Sequence, residues 1–203
     1  MARTRLDHTG RVRRARSRKD GVADARVRIL DAAEHLIAND GFDATPTSRI
    51  AARAKVAKGL LFHYFPRKID LLRCLLSERL PAPPKRLASG IAERGDMPGS
   101  LLRLAQSFTQ SQSPAVTTIL FREAGTHPEV GQHLEALRDG LVELTETVLD
   151  EASPQALDRQ RRHGAADTYV AVLLHDANAR RFNGPLPDLD AAAHIVAAGL
   201  ASP

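Results

Sequence analysis

Apolar residues recur along the chain at helical spacing, and the stripes they form set out a series of helices joined by short connections. Over residues 24 to 39, Ile29, Ala33, Leu36 and Ile37 make one stripe, which Gly41 closes and after which Phe42 turns back as a core anchor. The next stretch, TPTSRIAARAKVAKGLLFHYFPRK from Thr45 to Lys68, reads as two short helices around a tight turn. Thr45 is placed to cap the first, and Pro46 to occupy its first position, where a proline loses no hydrogen bond. Ile50, Ala51 and Ala54 form its inner face. A turn at Lys55-Val56-Ala57 leads into a second helix, Lys58 to Phe65, whose apolar positions Leu61 and Phe65 lie four apart in line with Ala57. Lys58, Leu60, Phe62, His63 and Tyr64 are left facing outward. Aromatics beside cations on the surface of a helix narrow enough for the DNA major groove predict a helix-turn-helix.

Pro66 ends this helix, and Lys68 is predicted to open the next, over residues 68 to 80, where Leu71, Leu72, Leu75, Leu76 and Leu80 form a dense leucine face. Such a face predicts a connecting helix packed on both halves of the protein. Pro81-Ala82-Pro83-Pro84 stops it. The body beyond reads as all-helical. A short helix over 85 to 94 is interrupted by Gly95 to Gly99, a stripe from Leu101 to Phe108 runs until Pro114, and a helix over about 115 to 124 carries Val116, Ile119, Leu120 and Phe121. Pro128 suits the first turn of a long helix reaching about Ala152, and the last two helices are predicted at about 155 to 181 and 188 to 201.

Residues 41 to 72, GFDATPTSRIAARAKVAKGLLFHYFPRKIDLL, resemble the DNA-binding signature of the TetR (tetracycline-repressor-like) family of bacterial transcription regulators. The matching positions are Gly41-Phe42, Thr45, Ile50-Ala51, Ala54, Val56, Lys58-Gly59, Leu61, Tyr64-Phe65 and Lys68. Four positions depart from the family pattern: Lys55 in place of a turn glycine, Ala57 of a serine cap, Leu60 of threonine and Phe62 of tyrosine. Leu60 and Phe62 thereby lack hydroxyls that in the family commonly reach phosphates. The resemblance implies an all-α protein. Its parts are an N-terminal three-helix helix-turn-helix domain over residues 21 to 67 and a C-terminal helical ligand-binding and dimerisation domain over 68 to 203. It also implies a homodimer through the last two helices, a palindromic double-stranded operator, and a small-molecule effector whose identity the residues leave open.

Charge separates the two halves. Residues 1 to 80 hold 18 Lys and Arg against 9 Asp and Glu, a net of +9, so the rest of the chain is at −4 within a total of +5. A basic head on a mildly acidic body suits a protein of which only the head meets phosphates. The arginine-rich residues 1 to 20, with almost nothing apolar to bury, are predicted to be a disordered arm that lies along DNA. The competing reading is a solubilising tail.

Within the head, Lys58, His63, Tyr64 and Lys68 are predicted to hold phosphates. Ser48, Arg49, Leu60 and Phe62 would lie near base edges, the apolar pair suiting thymine methyls, with Thr45 and Gly59 completing the surface. In the body the family resemblance implies a pocket, for which Phe108, Gln112, Phe121, Arg122, His127, Tyr169, His175 and Asn178 are the candidates. An aromatic content of 4% and no Trp argue against a large stacking pocket.

Other chemistry finds little support. There is no HExxH spacing or cysteine cluster, no glycine-rich phosphate loop and no GxSxG elbow, so neither an enzyme nor a metal or cofactor site is expected. The single Cys74 permits no internal disulfide and suits the cytoplasm, where a DNA-bound regulator would sit on the nucleoid. No run of about 18 apolar residues could span a membrane. The principal alternative is a DNA-organising protein without operator or effector, which the arginine tail and the two missing hydroxyls would suit.

Overall fold

The computed structural model describes the backbone of residues 7–80 and 88–201, with side chains from Asp24 to Leu80 and from Gly90 to Ala201. Among these residues the regular elements are helices, with no strand. The chain forms two compact units, Met1–Leu75 and Leu76–Pro203.

The first unit opens with α1 (Asp7–Asp40), followed by α2 (Thr47–Arg53), α3 (Lys58–Tyr64) and α4 (Lys68–Arg79), within which the division between units falls. The apolar stripe predicts a start for α1 near residue 24, yet its backbone is helical from Asp7. The earlier run is rich in Arg, which favours helix, but it has no apolar face from which periodicity could detect one. Of the arm expected at residues 1 to 20, the first six residues lie outside those described. At the other end Gly41 takes φ 94° and returns its N–H to Ile37 O at 2.9 Å, the left-handed stop expected there.

Thr45 does not cap α2. Pro46 holds the cap position with φ −70° and no side-chain bond, whereas Thr45 is fully buried, its hydroxyl donating to Gly41 O at 2.7 Å. A hydroxyl two residues before the helix is better placed to tie the loop back to the end of α1. α1, α2 and α3 pack on one another, burying Ile29, Leu30, Ala33 and Ile37 from α1, Ile50 and Ala51 from α2, and Leu61 from α3, with Phe65 just beyond it. Each large side chain so buried is worth roughly 1.5–3 kcal/mol. Leu71, Leu72, Leu75 and Leu76 of α4 are also fully buried.

In the second unit, α5 (Ala88–Ile91), α6 (Met97–Ser111), α7 (Pro114–Glu123), α8 (Pro128–Ala152), α9 (Arg159–Ala179) and α10 (Leu189–Ala201) follow, with a short 3-10 turn, Arg180–Phe182, after α9. The predicted stop at Pro81–Pro84 lies outside the described residues. α6 begins at Met97 instead of at its first leucines. Asp96 accepts the Gly99 N–H at 2.9 Å, and Pro98 fits the first turn, so the glycines expected to interrupt the chain there are partly helix. α9 begins later than expected because Asp158 caps it, accepting the Arg161 N–H at 2.9 Å. α6 packs on α8 and α10, α9 on the same two, and α7 against α8 and α9. Ile91, Leu104, Leu144 and Val148 form a core cluster, and the buried Tyr169 donates its hydroxyl to Leu101 O at 2.9 Å. No helix among the described residues is long and apolar enough to cross a membrane.

Candidate nucleic-acid interface and ligand pocket

The turn between α2 and α3 sets the direction of the outward helix. Val56 N–H donates to Ala51 O at 3.0 Å and Lys55 N–H to Ala52 O at 3.1 Å, the paired bonds of a Schellman ending. The residue at the left-handed position is Lys55, with φ 55°. Leu61 then fixes the rotation of α3 by burying completely against the unit's core. Lys58, Phe62 and His63 are exposed, Leu60 and Tyr64 partly so.

Two features of this face look outward rather than inward. The Lys58 ammonium lies 5.8 Å from the Phe62 ring centroid, a cation beside an aromatic that stays 39% exposed. A Cβ added at Gly59 would meet nothing within 4 Å, so packing within the protein does not require the glycine. Glycine inside a helix costs roughly 0.5–1 kcal/mol relative to alanine, and here the return is a bare stretch of backbone that a partner can approach closely. His63 and Tyr64 meet edge to face at 5.5 Å.

The remaining predicted contacts divide. Ser48 is exposed on α2. Arg49 is turned aside to the end of α1, its Nη1 donating to Asp40 Oδ2 at 2.6 Å. Lys68 donates Nζ to Phe42 O at 2.5 Å and sits 4.3 Å from the Phe42 ring centroid, so its charge pins the α1–α2 connection. Thr45 presents no side-chain surface at all. Sequence position alone suggested contacts for these three, but each has a nearer acceptor within the unit. At the start of α4, Arg67 forks onto Asp70, and this hydrogen bond holds the Asp70 carboxyl below its usual pKa.

The second unit contains a pocket of about 180 Å³ between α6, α7, α9 and the 3-10 turn, whose lining includes Phe108, Gln112, Thr117, Asp176, Arg180 and Arg181. Of the predicted candidates only Phe108 and Gln112 line it. Tyr169 belongs to the core, and His175 is exposed. Arg122 and His127 turn to the buried Glu123, at 3.2 and 3.5 Å. Phe121 does not reach the lining. Asn178 stands behind it, its Oδ1 accepting from Arg181 Nη1 at 2.7 Å. The arginines were missed because a helical stripe draws attention to apolar positions, whereas Arg180 and Arg181 follow the last regular turn of α9.

Residues 29–75 match the family model of bacterial regulatory proteins, tetR family. Over these residues the chain is similar to the TetR family. Two curated relatives are the fatty acid metabolism regulator protein of Bacillus subtilis and the HTH-type transcriptional repressor KstR of Mycolicibacterium smegmatis. The first is 27% identical over 62% of this chain and 66% of its own length, the second 33% identical over 58% and 61%. The chain thus spans under two thirds of the length of either. Among solved structures, a TetR-like transcriptional regulator from Rhodococcus sp. RHA1 aligns with a TM-score of 0.63 over 87% of this chain and 93% of its own, at 23% identity. Salmonella enterica GusR aligns at 0.62, over 88% and 96%, at 19% identity. Likeness at that identity extends the TetR fold beyond the matched head and into the second unit. The family and these relatives are transcriptional regulators, not enzymes.

Proposed function

We propose that the chain is a dimeric repressor that reads a palindromic operator through α3 and is released when a small ligand occupies the pocket of its second unit. The observation that carries this reading is the outer face of α3, where Lys58, Phe62 and His63 stand exposed beside a glycine that packing does not require. On duplex DNA, Lys58, His63 and Tyr64 would hold phosphates and fix register, with Ser48 near base edges and Leu60 and Phe62 against thymine methyls. Gly59 would let a phosphate approach the backbone. Arg49 and Lys68 would act from behind, by holding α2 and the α1–α2 connection in place.

Dimerisation fits the last two helices, because Ile195 on α10 is 73% exposed in the single chain, and two recognition helices in successive major grooves call for a twofold arrangement. Repression is the activity named for the KstR relative. The units proposed for these roles are a reading head up to the start of α4 and an effector and dimerisation body beyond it. A ligand in the body can free DNA only to the extent that it binds the released state more tightly.

The test is selection of duplexes from a random library at about physiological salt, with intact protein and with a Lys58→Ala, His63→Ala double variant. A palindrome recovered by the first and lost by the second is the expected result. Recovery of unrelated sequences by both would overturn specific reading and favour the DNA-organising alternative, in which affinity is salt-sensitive but indifferent to sequence.

A further inference from the structure

The two arginines of the pocket are in different electrical situations. Arg180 is committed to Asp176, with Nε and Nη2 donating to its two oxygens at 2.7 and 3.0 Å, and Asp176 is 2% exposed, so this pair satisfies itself. Arg181 has no carboxylate partner among the described residues. Its Nη1 donates to the neutral Asn178, its guanidinium lies 4.9 Å from the Phe182 ring centroid, and its Nε is buried with no acceptor. Thr117, 7% exposed and lining the same pocket, also has a buried hydroxyl without a partner.

Unmet hydrogen bonding and a half-buried cation without a carboxylate partner are both costs that an entering anion would remove. Burial, with the positive charge of Arg122 adding to it, holds the Arg181 guanidinium below its ordinary pKa, the mark of a site already short of negative charge. The rest of the lining is largely apolar, from Phe108, Pro114 and Ala177. Size narrows the choice further. A cavity of ~150 Å³ accepts benzene, so one of about 180 Å³ accepts a ring carrying one small polar group, whereas a long acyl chain would have to extend out through its mouth.

We propose that this pocket takes a small carboxylate with a ring-sized apolar body, the carboxylate received by Arg181 and Thr117 and the body set against Phe108, Pro114 and Ala177. The assignment rests on the reading of the second unit as the effector-binding part and gives that effector a chemical class.

Calorimetric titration of the full chain, without DNA, with benzoate, benzamide and palmitate tests it. Benzoate is expected to bind more tightly than the uncharged benzamide. Arg181→Gln should weaken benzoate by about tenfold to a hundredfold, the usual worth of hydrogen bonds to a charged group, and leave benzamide unchanged. Thr117→Val should weaken benzoate severalfold. Equal affinity for benzoate and benzamide, benzoate binding that Arg181→Gln leaves intact, preference for palmitate, or no benzoate binding at millimolar concentration would each overturn the assignment. Should Arg181→Gln fail to fold, as judged by its circular dichroism melt, Thr117→Val carries the same comparison. Because DNA is absent from this experiment, its failure leaves operator reading untouched, and failure to select an operator leaves the pocket's chemistry untouched.

Discussion

Replacing Lys55 by glycine isolates the backbone cost of the turn that aims α3. Lys55 holds φ 55° at the left-handed position of the Schellman ending of α2, and its side chain is exposed, so the substitution removes no buried packing. A residue with a Cβ pays roughly 1–2 kcal/mol to sit in this region, a cost that glycine does not bear. Against this, glycine gains freedom in the unfolded chain worth about 0.4–1 kcal/mol. The difference favours glycine by about 0.5–1 kcal/mol. Lys55→Val should move the other way, because branching at Cβ crowds the left-handed conformation most.

The first unit must be measured separately from the second, since a melt of the whole chain would merge them. Hydrogen exchange followed by mass spectrometry, read in peptides from residues 29 to 65, does this. Exchange in those peptides should slow by about twofold to fivefold in Lys55→Gly, following from the energy difference and RT, and should quicken in Lys55→Val. Glycine exchanging as fast as lysine, with valine no faster, would refute the claim that this turn stores strain.

Tyr169→Phe removes the hydroxyl bonded to Leu101 O and should cost about 1 kcal/mol near neutral pH. Burial, reinforced by Asp190, holds the Tyr169 phenol above its ordinary pKa, so its stabilising contribution is full below about pH 10 and is lost as the pH rises beyond that. Urea midpoints across that range should therefore fall less steeply in the variant. Ile195→Asp, at a residue 73% exposed, should halve the mass seen by light scattering while leaving the melt of the monomer nearly unchanged, and an undiminished dimer would count against α10 as the interface. Deleting residues 1 to 19 should weaken DNA binding and flatten its salt dependence, and an unchanged slope would make the segment a tail rather than an arm.

The fold was legible wherever a helix buries a stripe and ends on a residue with one favoured conformation, as α1 does at Gly41 and α8 begins at Pro128. Helix ends set by a capping side chain were less so. Asp96 and Asp158 each move an end by choosing which backbone N–H to accept, and that choice depends on how the loop arrives. On α3 the buried and exposed sides followed from Leu61, with Phe65 buried just past the last turn, because a short helix anchored once within and once at its end has little rotational freedom. The pocket of the second unit was not legible in this way. It is bounded by three helices and a 3-10 turn, and the difference between Arg180 and Arg181 depends on one carboxylate, Asp176, that is on the right side of α9 for only one of them.

Cations show the same limit from the other direction. A charge count treats every Lys and Arg of the head as available to phosphate, but the fold has prior claims on several of them. Arg49 is held by Asp40, Lys68 by a backbone carbonyl and an aromatic face, and Arg67 by Asp70. Breaking an internal bond to make a phosphate contact returns less than the contact is worth, which is the reason to propose that these side chains act by holding α2 and the loops in place. Lys58, which makes no ion pair among the described residues, is the predicted phosphate contact with the least to give up. Salt dependence scales with the number of phosphates neutralised, at a slope of about −0.9 for each. A slope beyond what the outer face of α3 can supply has two sources to choose between, the arginine-rich segment ahead of it and exposed cations of the head such as Arg53 and Lys55, which is why the deletion of residues 1 to 19 and the Lys58 variant are best measured as salt slopes, and on the same operator.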